Sequence, residues 1–273
     1  MVRDAIRAHP GLAGRDMRVF AQGSFHNRTN VRHDSDVDVC VLSMDTFFPD
    51  YEHVPEANNA ALGILPATYH FPDFKADVEA ALVAKFGRRE VTAGDKAFDI
   101  KSNTYRVSAD VVPTFESRLY YRDAFGRYAY HSGTVLQSDR TGNIIRNWPQ
   151  QHYDRGVAKH TDTGRQFKKK ARILKNLAND MAANGYESAQ NMSSFLLESL
   201  VYNCNGNAFQ PNHYSGFKET IRQTYFMTQT DEAAENLLEV NNIKYLFRPS
   251  QPWNRSDVHQ FLVQAWDYVG FTD

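Results

Sequence analysis

The sequence predicts an α+β fold: a mixed β-sheet lobe with an N-terminal helix over residues 1–160, then a helical lobe over residues 161–273, with an active site in the cleft between them. Three observations carry this. Short strand patterns parted by Gly, Pro, Asn and Asp turns fill the first part of the chain. Helical spacing of apolar residues takes over from Thr163. One early strand bears acid along a single face.

In chain order, residues 2–8 put Val2, Ala5 and Ile6 on one side of a helix, which His9, Pro10, Gly11 and Gly14 end. A strand is expected over 18–22 and a loop through Asn30. Residues 35–42 alternate strictly, so that Asp36, Asp38 and Cys40 face one way and Val37, Val39 and Val41 the other. Residues 45–69 carry Pro49, Pro55 and Pro66 with little periodicity and read as a loop with short irregular helix. Phe74, Val78, Ala81, Leu82 and Phe86 recur at helical spacing, and Gly87 supplies a C-terminal cap. Strands follow over 90–92, 97–101 and 105–112, and Pro113 closes the last. A hairpin turning at 139–142 is expected within 128–148. Thr163 offers an N-cap for a helix to about Ala183, stopped by Gly185. Further helices are expected over 193–203, 217–227, 231–241 and 256–269.

Composition removes several function classes. With 42% apolar residues in 273, the chain can bury a substantial core. The balance of 31 basic against 32 acidic residues argues against a protein whose main task is coating nucleic acid, so no stable nucleic-acid partner is expected. Apolar stretches are far too short to cross a bilayer and no charged-then-apolar leader opens the sequence, so no membrane association and a cytoplasmic home are expected. Cys40 and Cys204 lack metal-ligand spacing and read as free thiols, and the histidines show no i, i+4 pairing near the acids.

The acids are the informative feature. Nucleotidyl transfer spreads negative charge that cations must neutralise at both attacking and leaving oxygens, and clustered carboxylates supply those cations. Asp36 and Asp38 point the same way on a strand and can bridge two magnesium ions. Manganese fits the same oxygen donors. Asp110, between Ala109 and Val111 in a later strand, is the third carboxylate, a metal ligand and general-base candidate. An ion pair with Arg106 is its competing reading, as a solvated edge face is for Asp36 and Asp38. Asp34 would extend the acid face by one pleat, but it precedes the hydrophobic alternation and reads as the end of the loop. Gly23 and Ser24 follow the first strand, small enough to let a triphosphate approach the backbone closely, and Arg28 and Arg32 lie beside that loop.

The string from Gly23-Ser24-Phe25-His26-Asn27-Arg28-Thr29-Asn30-Val31-Arg32 to Asp34-Ser35-Asp36-Val37-Asp38-Val39 resembles the signature of the DNA polymerase beta-like nucleotidyltransferases. Through Thr29-Asn30-Val31-Arg32 and Ala109-Asp110-Val111-Val112-Pro113 it resembles, more narrowly, the bacterial cGAS/DncV-like nucleotidyltransferases, over nearly the whole chain. The resemblance implies a bilobed nucleotidyltransferase fold in which a lysine and a serine of the helical lobe contact the donor triphosphate. Lys175 is similar to that lysine, and Ser193-Ser194 to that serine, with Ser194 favoured. Helical spacing is compatible: Phe167, Ala171, Leu174 and Ala178 form a core stripe, while Lys168, Arg172, Lys175 and Asn179 share a polar face. An ordinary solvated face is the competing reading for Lys175 and the preferred one for Lys168, Lys169 and Lys170. Ser193 also suits an N-cap, and Phe195 either stacks on a base or fills core.

The resemblance further implies that nucleoside triphosphates, ATP among them, are joined into a cyclic di- or trinucleotide with release of pyrophosphate. The product would be an antiphage second messenger, and regulatory proteins of an antiphage operon would be partners. The alternatives are addition of nucleotides to RNA or another acceptor, or a catalytically silent nucleotide-binding scaffold.

Overall fold

In the computed structural model, residues 1–31 and 36–272 are described. Two compact units emerge, Met1–His26 with Asp34–Pro149, and Asn27–His33 with Gln150–Asp273. The division falls before Gln150 rather than at residue 161, and a short segment from the first half of the chain joins the helical unit.

The first unit runs α1 (Val2–Ala8), β1 (Met17–Ala21), α2 (Gly23–His26), β2 (Val37–Asp50), α3 (Phe71–Phe86), β3 (Val91–Ala93), β4 (Phe98–Ile100), β5 (Ala109–Arg122), β6 (Tyr128–Gln137) and β7 (Ile144–Asn147). The strands form one mixed sheet in the order β1-β2-β5-β4-β3, with β6 also pairing β5 and β7 pairing β6. Among the described residues only β2 and β5 are parallel neighbours; the other strand pairings are antiparallel. Alternation sends Val39 and Val41 of β2, and Val111 and Phe115 of β5, into a core with Ile6 of α1 and Phe74, Val78 and Leu82 of α3. Phe115 lies at its centre, its ring 4.9 Å from Phe74, 5.1 Å from Phe71 and 5.5 Å from Phe48. Asp38 and Asp110 therefore lie on the opposite face of the sheet.

Two strands are longer than expected. β2 continues through Pro49 to Asp50, residues read as loop, because a register shift between Ser43 and Phe47 lets it resume pairing with β5 at Phe47 opposite Glu116. Pro113 does not close β5. On one flank β4 pairs with residues 109–111 and β6 with 115–122, so Pro113 falls in the gap where the strand changes partner and its missing N–H removes no ladder bond there. Cys40 is buried against the Thr114 hydroxyl instead of continuing a solvated acid face.

The second unit comprises α4 (Pro149–Asp162), α5 (Phe167–Ala183), α6 (Glu187–Gln190), α7 (Ser194–Asn203), α8 (His213–Met227), α9 (Asp231–Ala234) and α10 (Arg255–Val269). Its core joins Phe167, Ala171, Leu174 and Ala178 of α5 to Leu196, Leu197 and Leu200 of α7 and Phe261, Leu262 and Ala265 of α10. Helix α4 was not expected, and the reason is visible: only His152 and Gly156 of its residues are buried, so no apolar period marks it. The helix expected over 231–241 stops at Ala234. The chain turns at Asn242, whose φ is 57°, and returns so that Leu238 bridges Tyr245 and Glu239 N–H bonds the Lys244 carbonyl. Thr163 does accept a hydrogen bond from Phe167 N–H at 3.1 Å, although Gln166 is the N-cap of α5.

Candidate active site

The sheet unit brings the predicted Asp38 and Asp110 together from two strands and adds an acid, Asp99, from a third. β2 and β5 run parallel with Asp38 opposite Asp110, and β4 runs antiparallel to β5 with Asp99 opposite Asp110. Asp36 stands exposed just before β2. Its carboxylate accepts a hydrogen bond from the Ser108 hydroxyl, and the next residue, Val37, donates its N–H to the Ser108 carbonyl at 3.2 Å. Asp34, Ser35 and Arg32 lie outside the described residues.

Gly23 sets the other wall. Gln22 N–H donates to the Asp38 carbonyl at 2.9 Å, and the chain then turns at Gly23 with φ 69° into the single turn α2, which carries Ser24. A Cβ on Gly23 would stand 2.0 Å from Asp38 Oδ2. Glycine is needed here for its positive φ and for this clearance together.

Among the described residues no cation figures among the charges acting on Asp38 or Asp110. Burial raises the Asp38 carboxyl above the usual carboxylate range, and Asp110 and then Asp36 raise it further. Asp110 is raised by burial, then by Asp36 and Asp99. Arg106, the competing partner for Asp110, is paired with Glu90 at 2.8 Å. Among the described residues no group of three His, Cys, Asp or Glu side chains is placed to hold a metal ion as it stands, and Asp36 is held by Ser108. Asp99 and Ser108 escape sequence reading. The Phe98-Asp99-Ile100 alternation marks an acid on a short strand, but nothing in the sequence says which strand lies beside it.

In the helical unit, Lys175 is 2% exposed. Its Nζ lies 2.6 Å from Glu198 Oε2 and donates to the Thr29 carbonyl at 3.3 Å, while the Thr29 hydroxyl donates to the same Glu198 oxygen at 2.6 Å. His152 Nε2 sits 3.1 Å from Glu198 Oε1. Burial pushes the Glu198 carboxyl up, but the Lys175 charge and the His152 hydrogen bond outweigh it and bring it down to about 2. Lys175 is thus neither on a solvated face nor free as the structure stands. Lys168 and Lys170, also expected on a solvated face, are 6% and 0% exposed. Lys170 donates to the carbonyls of Asn212 and His213. Ser193 is the N-cap of α7 but makes no side-chain cap bond, and Ser194, the first helical residue, is exposed. Phe195 packs between His152 and Trp253, with ring centroids 5.3 and 6.1 Å away.

A Gly-Ser turn leading out of one strand, and carboxylates facing each other across a parallel strand pair, define a nucleotidyltransferase. Comparison with known proteins makes this specific. Residues 154–270 match the model of the cGAS/DncV-like nucleotidyltransferase C-terminal helical domain. The chain is 42% identical to a cyclic dipyrimidine nucleotide synthase CdnE of Legionella pneumophila over 98% of its own length and 89% of that protein's. It is 36% identical to an enzyme of the same name from Cecembia lonarensis over 99% and 90%. The structure of the Rhodothermus marinus CdnE c-UMP-AMP synthase with Apcpp and Upnpp superposes with a TM-score of 0.82 at 27% identity, covering 100% of this chain and 90% of that one. The chain belongs to the cGAS/DncV-like nucleotidyltransferases. Among the described residues no helix is long and apolar enough to cross a membrane.

Two predictions follow from this geometry. Replacing Gly23 by Ala displaces the Asp38 carboxylate, so turnover should fall by about 100-fold or more with the fold retained. Activity within twofold of wild type, on the order of assay scatter, would mean that Asp38 tolerates the shift. Glu198 has a folded pKa below its unfolded one, so its contribution to stability is present above about pH 4.5 and is lost as pH falls toward 2. Denaturant midpoints measured across that window should drop in the wild type and flatten in Glu198→Gln. Parallel acid limbs in the two proteins would contradict the assignment.

Proposed function

We propose that the protein joins two pyrimidine nucleoside triphosphates into a cyclic dinucleotide that serves as an antiphage second messenger, with regulatory proteins of the same operon as partners. The observation that carries the reading is the Asp38–Asp110 register across parallel strands, in front of the clearance that Gly23 leaves. Two relatives named as cyclic dipyrimidine synthases, similar over nearly the whole chain, support the choice of bases and of ring. The antiphage role rests on the family resemblance.

The chemistry is two successive substitutions. A ribose hydroxyl of one nucleotide attacks the α-phosphorus of the other, a P–O bond forms, the bond to the β-phosphate bridge breaks, and pyrophosphate leaves. The same exchange within the linear intermediate closes the ring. Asp110 accepts the proton of the attacking hydroxyl. Asp36, Asp38 and Asp110 would hold two magnesium ions, or manganese in their place. The fit is chemical: oxygen-only donors, with the Asp38 carboxyl raised by burial and the charges of Asp110 and Asp36, and the Asp110 carboxyl raised by burial and the charges of Asp36 and Asp99. Bound there, the ions would neutralise charge on the α-phosphate and the departing pyrophosphate. Gly23 and Ser24 leave the triphosphate room at the backbone; within the helical unit, Ser193 and Ser194 are the serine candidates that the family resemblance implies.

Incubation with magnesium chloride and all four ribonucleoside triphosphates, followed by phosphatase treatment and mass spectrometry, tests this. A phosphatase-resistant cyclic dipyrimidine nucleotide is expected, absent with Asp38→Asn. Extension of RNA or labelling of another acceptor by the wild type would overturn the reading.

A further inference from the structure

Three side chains of the helical unit fasten two consecutive residues of the segment Asn27–His33, which the first half of the chain contributes to that unit. Thr29 is fully buried and belongs to no helix or strand, so no ladder and no helical turn holds it. Its hydroxyl donates to Glu198 Oε2 at 2.6 Å, and its carbonyl accepts from Lys175 Nζ at 3.3 Å. The preceding carbonyl, that of Arg28, accepts from Arg172 Nη1 at 2.6 Å. Arg28 turns left-handed with φ 56°, a conformation uncommon for a residue with a Cβ, which persists where the surroundings hold it.

Glu198 is the hub. Its Oε2 takes both the Lys175 ammonium and the Thr29 hydroxyl, and its Oε1 faces His152 Nε2 at 3.1 Å, so α4, α5, α7 and the segment meet at one carboxylate. On α7 it stands one helical turn after Ser194. Fold stability alone does not call for this arrangement, because apolar side chains of similar volume would hold α5 against α7 as well or better without stripping two charges of water. What the polar network adds is direction. The hydroxyl bond and the carbonyl bond each specify one atom of Thr29, and a slip of the segment by one residue would break both. Lys175, 2% exposed with its ammonium turned to Glu198 and Thr29, serves this network.

We propose that Glu198, Lys175 and Thr29 are positioning residues for nucleotidyl transfer. They fix the course of the chain between Gly23-Ser24 and Asp36, and Lys175 is a strut of that network in this chain, not the triphosphate contact that the family resemblance implies. Thr29 lies between those two groups in sequence, so a displaced backbone there shifts what is attached on either side, and a misplacement of about 1 Å in a reacting geometry can cost about 100-fold in rate. The effect on turnover rests on the roles proposed for Ser24 and Asp36; the network itself does not.

Thr29→Val keeps the shape of the side chain and removes the donor to Glu198, while Thr29→Ser keeps the donor. Two readouts test them: steady-state pyrophosphate release with a pyrimidine nucleoside triphosphate, and hydrogen–deuterium exchange of the amides of residues 27–31 in the nucleotide-free protein. Thr29→Val should lower kcat about tenfold or more with KM within about threefold of wild type, and should speed the exchange of those amides. Thr29→Ser should restore both. Lys175→Met and Glu198→Gln should each show the same pattern, and the double variant should exceed either single one in kcat, because no buried charge is then left without its partner. Leu262→Ala, a cavity in the α10 core, should lower the thermal midpoint and leave kcat and that exchange near wild type. Wild-type kcat in Thr29→Val overturns the proposal. So does a rise in KM of about tenfold in Lys175→Met that persists in the double variant with exchange unchanged, the mark of a direct phosphate contact. Pyrophosphate release by a wild-type protein that makes no cyclic dipyrimidine nucleotide would sink the proposed function alone, since neither readout depends on the product.

Discussion

Everything at the acid face depends on one pairing, the parallel alignment of β2 with β5. It sets Asp38 beside Asp110 at neighbouring positions of a half-buried sheet, where burial disfavours both carboxylates, the charges of Asp110 and Asp36 disfavour Asp38 further, and those of Asp36 and Asp99 disfavour Asp110. Such a pair persists only because the opposite face is strongly apolar. Val39, Val41, Val111 and Phe115 lock the same two strands against α1 and α3, so the acids are held in register by residues that never touch them. The Pro113 gap has the same logic, for it lets β5 pair with the short β4 beside the acids and then with β6 beyond them. Like charges fixed together by packing are stored electrostatic work, which a divalent cation bound there would release.

The helical unit satisfies one buried ion pair from within. Lys175 and Glu198 satisfy each other, and Thr29 and His152 complete the hydrogen bonding of the carboxylate, the condition under which a buried ion pair is tolerated. Removing either partner would leave a buried charge alone. Through Thr29 the network also fixes a segment that lies in the chain between Gly23 and Asp36, so the pair has a consequence for the residues on either side of it in sequence.

Much of this was legible in the sequence, for identifiable reasons. The alternation of Asp36, Val37, Asp38, Val39 reports a strand directly, and Phe167, Ala171, Leu174, Ala178 reports a helix directly, because each period is imposed by backbone geometry. The strand that carries Asp99 was legible but its place in the site was not, since which strand lies beside it is a matter of tertiary pairing. Helix α4 was hidden by burying so little apolar surface, and the extension of β2 by a bulge that keeps Pro49 in pairing distance. The burial of Lys168, Lys170 and Lys175 was hidden for another reason. A lysine on a helix carries no mark of whether a carboxylate such as Glu198, far off in sequence, will meet it.

The central claim is that the Asp38–Asp110 pair is a cation site. Manganese titration followed by electron paramagnetic resonance, in the presence of a non-hydrolysable pyrimidine nucleoside triphosphate analogue, measures it directly. The account predicts about two bound ions per chain for the wild type, as expected of a two-metal site, and a weakened or reduced complement in both Asp38→Asn and Asp110→Asn. The same stoichiometry and affinity in the wild type and both variants would contradict it.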